Sequence, residues 1–146
     1  MPHWSPDGKQ IAFHGGTPGK PARIYAVSSD GGAVRQVTNG ESGKYGDLDP
    51  SWSPDGASLA FGGPDRDAGG AESIHVVDLK TNHVSALPGA EGMWSPRWST
   101  DGRFIAGLSR YPVNKLLLYD FQMRRQTQLS DLQSECPCLL YTSRCV

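Results

Sequence analysis

Apolar side chains along this chain come in short runs, each bounded by turn formers. Ile11-Ala12-Phe13, Leu59-Ala60-Phe61 and Phe104-Ile105-Ala106 each follow an Asp-Gly step, and none is long enough to make the face of a helix. A second series of mixed apolar runs covers 22–27, 73–77 and 115–119, and a third covers 34–38, 84–87 and 126–129. Between the second and third series lie further turn signals, such as Ser28-Ser29-Asp30-Gly31-Gly32 and Asp78-Leu79-Lys80-Thr81-Asn82. Runs of this length and spacing predict β-strands joined by tight turns, with no helix.

The runs repeat. Trp4-Ser5-Pro6-Asp7-Gly8, Trp52-Ser53-Pro54-Asp55-Gly56 and Trp98-Ser99-Thr100-Asp101-Gly102 stand 48 and 46 residues apart, and each has a proline two positions before its tryptophan: Pro2, Pro50 and Pro96. The chemistry is that of a strand-turn-strand unit. Proline presets φ at the second turn position, Ser and Asp bond back to nearby amides, and Gly takes the left-handed conformation that ends the turn. Thr100 stands where the first two copies have proline, a change a type I turn tolerates. The strand before the turn, the strand after it and the two later runs make four short strands per repeat. That is the sheet of a propeller blade, a unit that buries its faces only by stacking on neighbours.

The predicted fold is therefore all-β, a propeller fragment of about three four-stranded antiparallel blades in an open arc, over 1–40, 46–88 and 93–130. Together 1–130 form the repeat region and 131–137 a junction. Pro50-Ser51-Trp52-Ser53-Pro54-Asp55-Gly56, Ile24-Tyr25-Ala26-Val27 and Val34-Arg35-Gln36-Val37-Thr38 resemble the repeat of the TolB-like (WD-like) propellers. The resemblance implies a closed ring of six to eight blades in the full-length protein, so the remaining blades are expected partners of these three. It implies a noncatalytic protein-binding scaffold acting through rim loops, in a periplasmic or cell-envelope setting. Two further roles occur with the same blades: a substrate-filtering propeller beside a prolyl-oligopeptidase-like hydrolase domain, and a sensor propeller attached to a transcriptional regulator or kinase.

Composition agrees with an ordinary folded protein and excludes some functions. Of 146 residues, 37% are hydrophobic and 20% charged, while 18 Gly and 11 Pro supply the many turns. A net charge of −1 offers no electrostatic footprint for nucleic acid. No run approaches the roughly 18 apolar residues that cross a bilayer, so no membrane insertion is expected. The tail 138–146, Cys-Leu-Leu-Tyr-Thr-Ser-Arg-Cys-Val, breaks the pattern. It reads as one frame of a transposase adapter, TGT CTC TTA TAC ACA TCT, joined to its own inverse, and is set aside as a sequencing-adapter artefact. Of the three cysteines only Cys136 then remains, which leaves no disulfide framework or zinc set.

Candidate chemistry is sparse. Gly107-Leu108-Ser109-Arg110-Tyr111 lacks the second glycine of a nucleophile elbow. His3, His14, His75 and His83 have no metal-ligand spacing, and neither Gly-rich loop, 15–20 or 62–70, meets the phosphate-loop pattern. No catalytic residue, metal or cofactor is expected. Trp4, Trp52 and Trp98 are expected to pack between blades, with Tyr25 and Tyr119; Asp7, Asp55 and Asp101 with Gly8, Gly56 and Gly102 are expected to shape turns. Binding is expected at the approach to each first strand, on Tyr45, Asp47 and Asp49 before Trp52, and on Trp94 and Arg97 beside Met93, because such connections converge on a propeller rim. An open arc should also expose apolar faces, with Pro2, Trp4 and Ile11 at one end and Phe104, Leu117 and Leu129 at the other, and favour self-association.

Overall fold

The computed structural model describes residues 1–39, 46–65, 71–109 and 115–131. Their twelve strands form three antiparallel sheets of four, each in simple sequence order. The first holds β1 (His3–Trp4), β2 (Gln10–Gly15), β3 (Arg23–Ser28) and β4 (Arg35–Gln36). The second holds β5 (Leu48–Trp52), β6 (Ser58–Asp65), β7 (Ala71–Asp78) and β8 (Val84–Ala86). The third holds β9 (Met93–Trp98), β10 (Phe104–Ser109), β11 (Lys115–Asp120) and β12 (Arg125–Asp131). The fold is the expected three-bladed propeller fragment. Tyr45 and 132–146, which include the adapter-like tail, lie outside the described residues.

Each first turn is locked by the same four contacts. In the second blade Gly56 N donates to Ser53 O at 2.9 Å, Ser53 Oγ donates to Asp55 Oδ1 at 2.6 Å, and Ala57 N donates to the same carboxylate oxygen at 3.0 Å. Ser58 N returns to Ser53 Oγ at 2.9 Å. Ser5 with Asp7, and Ser99 with Asp101, repeat the arrangement. The glycines that end the turns have φ of 70° (Gly8), 70° (Gly56) and 77° (Gly102), where a side chain would be strained. Neighbouring turns also meet: a Cβ on Gly56 would touch Pro6, and one on Gly102 would touch Pro54.

Strand parity decides what lies between blades. Ile11 pairs with Val27, Leu59 with Val77 and Ile105 with Tyr119, so these are repeat-equivalent positions on one face. In the second blade that face carries Trp52, Leu59, Phe61 and Val77, which pack against Ala12, Ile24, Ala26 and Val37 of the first. In the third it carries Ile105, Leu117 and Tyr119, which pack with Ala60 and Ile74 of the second, with Ala90 of the connection between the two and with Met93 at the start of β9. Tyr119 adds a hydrogen bond from its hydroxyl to Pro88 O at 3.0 Å. Each interface is thus an apolar layer, worth roughly 25 cal/mol per Å² buried.

Parity also decides three expectations. Trp4, expected to pack between blades and, at the end of an open arc, to meet water, is 61% exposed, because it sits on the face of the first blade that points away from the second. Tyr25 lies on that same outward face, half-buried and stacked on Phe13 with ring centroids 5.8 Å apart, and does not join an inter-blade layer. Leu117 is buried, since it is on the inward face of the third blade. Of the other residues expected in water, Pro2 and Leu129 are exposed and Ile11 and Phe104 are half-buried.

Candidate binding site

The first strands lie side by side: Trp52 Nε1 donates to His3 O at 3.0 Å, and Trp98 N donates to Ser51 Oγ at 2.9 Å. The fourth strands β4 and β8 are largely exposed. β5 and β9 each contain one extra residue relative to their partners, a β-bulge between Leu48 and Ser51 and another opposite Ala106 and Leu108. Asp49 and Ser95 occupy the bulges with φ of 51° and 53°, each directly before a fully buried proline, Pro50 or Pro96. The proline two positions before each tryptophan was the one trace of this feature in the sequence.

Where the three Trp turns converge, a cleft of about 400 Å³ opens. The first blade contributes His3, Trp4 and Pro6, the second Ser51, Trp52 and Pro54, and the third Arg97, Trp98, Ser99 and Thr100. Trp52 is buried and forms the floor together with the inter-blade core. Trp98 is fixed by stacking on Phe121 at 5.3 Å and by Nε1 donating to Gly102 O at 3.2 Å. Trp4 is an exposed wall. The repeat motif that reads as purely structural in the sequence is therefore also the lining of a cleft.

The charged group of this cleft is Arg97. Burial lowers its pKa, with the nearby Asp49 charge acting in the opposite direction. Its Nη1 donates to Pro96 O at 2.6 Å, and among the described residues no carboxylate lies within ion-pair distance of it. Beside it His3 keeps Nε2 buried without a hydrogen-bond partner. Burial, then the Arg97 charge, lower the His3 pKa, so the ring is neutral at pH 7. Asp49 is engaged elsewhere: its carboxylate pairs with the Met1 amine at 3.4 Å and lies 3.8 Å from His14 Nδ1, to which its backbone N donates at 3.3 Å.

The other expected rim residues do not gather around Arg97. Asp47 is 1% exposed, because Gly46 forms a parallel bridge with Ala22 and Asp47 N donates to Ala22 O at 2.9 Å. Trp94 is half-buried, with Nε1 donating to Ser109 O at 3.2 Å. Met93 is fully buried. Ser109 is itself 8% exposed and its Oγ accepts Lys115 N at 3.2 Å, which makes it a strand-end tie. Among the described residues no three His, Cys, Asp or Glu side chains gather as metal ligands, and no helix is long and apolar enough to cross a membrane.

Comparison with known proteins places the chain. A family model described as the TolB beta propeller domain matches residues 1–139. No curated protein matches the chain. Among solved structures, a TolB from Agrobacterium tumefaciens is similar with a TM-score of 0.72 and 25% identity, over 88% of this chain and 44% of its own. TolB from Acinetobacter baumannii is similar with a TM-score of 0.71 and 26% identity, over 89% of this chain and 31% of its own. The β-propeller domain of the Trilobed protease from Pyrococcus furiosus shares the fold, with a TM-score of 0.56 and 18% identity, over 88% of this chain and 42% of its own. The chain thus spans less than half the length of each of these neighbours.

Proposed function

We propose, because this chain belongs to the TolB β-propeller domain family, that it is a noncatalytic scaffold whose cleft between the three Trp turns binds a protein or peptide partner. The observation that carries the reading is the cleft itself: three indoles and two prolines, held by turns that each spend their Ser and Asp on fixing the backbone. An apolar, aromatic cleft with a single charged group is the composition of a recognition site. Rigid blades present it with little ordering cost on this side of the complex. Family resemblance favours a periplasmic or cell-envelope location.

A peptidase-accessory role is the second reading, supported by the likeness to a protease propeller. In that role the same cleft would meet peptides on their way to a hydrolase domain. Selection from a displayed random-peptide library on the immobilised chain tests both. Recovered peptides should lose about tenfold or more in affinity on Trp4→Ala, a substitution at an exposed wall that leaves the core intact. Peptides indifferent to Trp4→Ala, or none recovered, would refute the cleft as the site. Turnover of those peptides by the purified chain, abolished by Ser109→Ala, would refute the noncatalytic reading.

A further inference from the structure

We infer that the cleft selects a peptide carrying a carboxylate, received by Arg97, with proline or aromatic neighbours against Trp4 and Trp98; this rests on the peptide-binding reading above. The guanidinium is half-buried, lines the cleft, and spends one donor on the carbonyl of Pro96. A guanidinium has five N–H donors in a fork that matches a carboxylate. Taking such a group out of water without a counter-charge is costly, and its burial already lowers its pKa. The Asp49 carboxylate, the charge that most favours the protonated guanidinium, does not reach it as an ion pair, being placed by the bulge against the Met1 amine and His14. The next group along the wall, His3, is neutral at pH 7 and offers an unsatisfied, buried Nε2 rather than a competing negative charge.

The rest of the lining fits the same ligand. Indoles facing a groove accept proline-rich extended segments, whose low entropy in the free state lessens the ordering cost. Thr100 adds a hydroxyl beside Trp98, suited to a peptide amide rather than to a second charge. The shared chemistry is a carboxylate, whether from an Asp or Glu side chain or from a chain terminus, and the two sources are separable.

Four fluorescein-labelled pentapeptides test the assignment by anisotropy: Ala-Pro-Trp-Pro-Glu with a free C-terminus, its C-terminal amide, and the two Gln counterparts. The intact chain is expected to bind at least one acidic form about tenfold more tightly than the neutral Gln amide, the worth of one charge-assisted pair. Comparison of the amide and Gln arms shows which carboxylate docks. Arg97→Gln should abolish the preference, and the preference in the intact chain should weaken as salt is raised. Near-ultraviolet circular dichroism, rich in tryptophan signal, reports whether Arg97→Gln folds; if it does not, the salt series alone decides. Equal affinity for acidic and neutral peptides, or a salt-independent preference, overturns the inference while leaving the cleft as a peptide site. Absence of binding by all four overturns both.

Discussion

Phe13 and Phe61 are the same position of the repeat in successive blades, so truncating each to alanine isolates what one blade contributes to the next. Phe61 is 1% exposed, stacks on His75 at 5.6 Å, and packs with Ala12, Ile24, Ala26 and Val37 of the first blade. A fully buried Phe→Ala change costs about 3–5 kcal/mol, the lost transfer energy plus the cavity left behind. Phe13 keeps its stacking with Tyr25 but faces away from the second blade and is half-buried. Its loss should cost about 1–2 kcal/mol, a fraction of the transfer energy with no enclosed cavity. Against a total stability of about 5–15 kcal/mol, the first variant is severe and the second mild. Urea unfolding followed by tryptophan fluorescence reads the difference. With a slope of about 1–2 kcal/mol per molar urea, the two midpoints should stand about 1–2 M apart. The measurement belongs at dilutions where light scattering shows no association, because Trp4, Ile11, Phe13, Tyr25 and Val27 form an apolar outward face. Phe61→Leu, a smaller truncation, serves if Phe61→Ala does not fold. Equal midpoint shifts for Phe13→Ala and Phe61→Ala would refute the assignment of faces and the inter-blade layer built on it.

Two further outcomes follow from particular contacts. Gly46→Ala should destabilise the chain well beyond Gly19→Ala as judged by melting temperature: both glycines have positive φ (75° and 81°), but only at Gly46 would the Cβ overlap the Ala22 backbone. Equal losses would show that the close approach of the two segments is unimportant. Acidification should weaken the fold in two windows. His3 and His14 are lowered from 6.5 chiefly by burial, so protonation favours the unfolded chain and their contribution is lost as pH falls below that value. Asp7, Asp55 and Asp101 are lowered from 3.8 chiefly by the neighbouring Ser hydroxyls, so their contribution, present above 3.8, is lost as pH falls through the lower folded values. Urea midpoints at about pH 8, 5 and 3 should decrease in that order; a midpoint that rises on acidification would contradict the sign.

The strands and turns were legible because each is written locally. Trp-Ser-x-Asp-Gly carries its own turn geometry, and the apolar runs beside it carry the strand period. What escaped the sequence depends on register and on distant segments. Whether Leu117 faces the second blade or solvent is a matter of parity, and one residue of slip reverses it. Asp47 reads as a rim residue until Gly46 is seen lying against Ala22. The cleft was hidden for a related reason: its tryptophans looked fully explained by packing, and their convergence with Arg97 is a property of three blades together.

The bulges at Asp49-Pro50 and Ser95-Pro96 have a consequence for how anything can attach near the cleft. An unpaired sheet edge is ordinarily a template on which another chain can add a strand. Here the inner edges of β5 and β9 each lack a proline N–H, are kinked by an extra residue, and have donors or acceptors engaged by the neighbouring blade, as with Trp98 N on Ser51 Oγ. β1 is only two residues long, and its His3 carbonyl already accepts Trp52 Nε1. The inner edges are thereby closed to cross-strand aggregation and to ligands that bind by main-chain pairing, so recognition in the cleft must run through side chains.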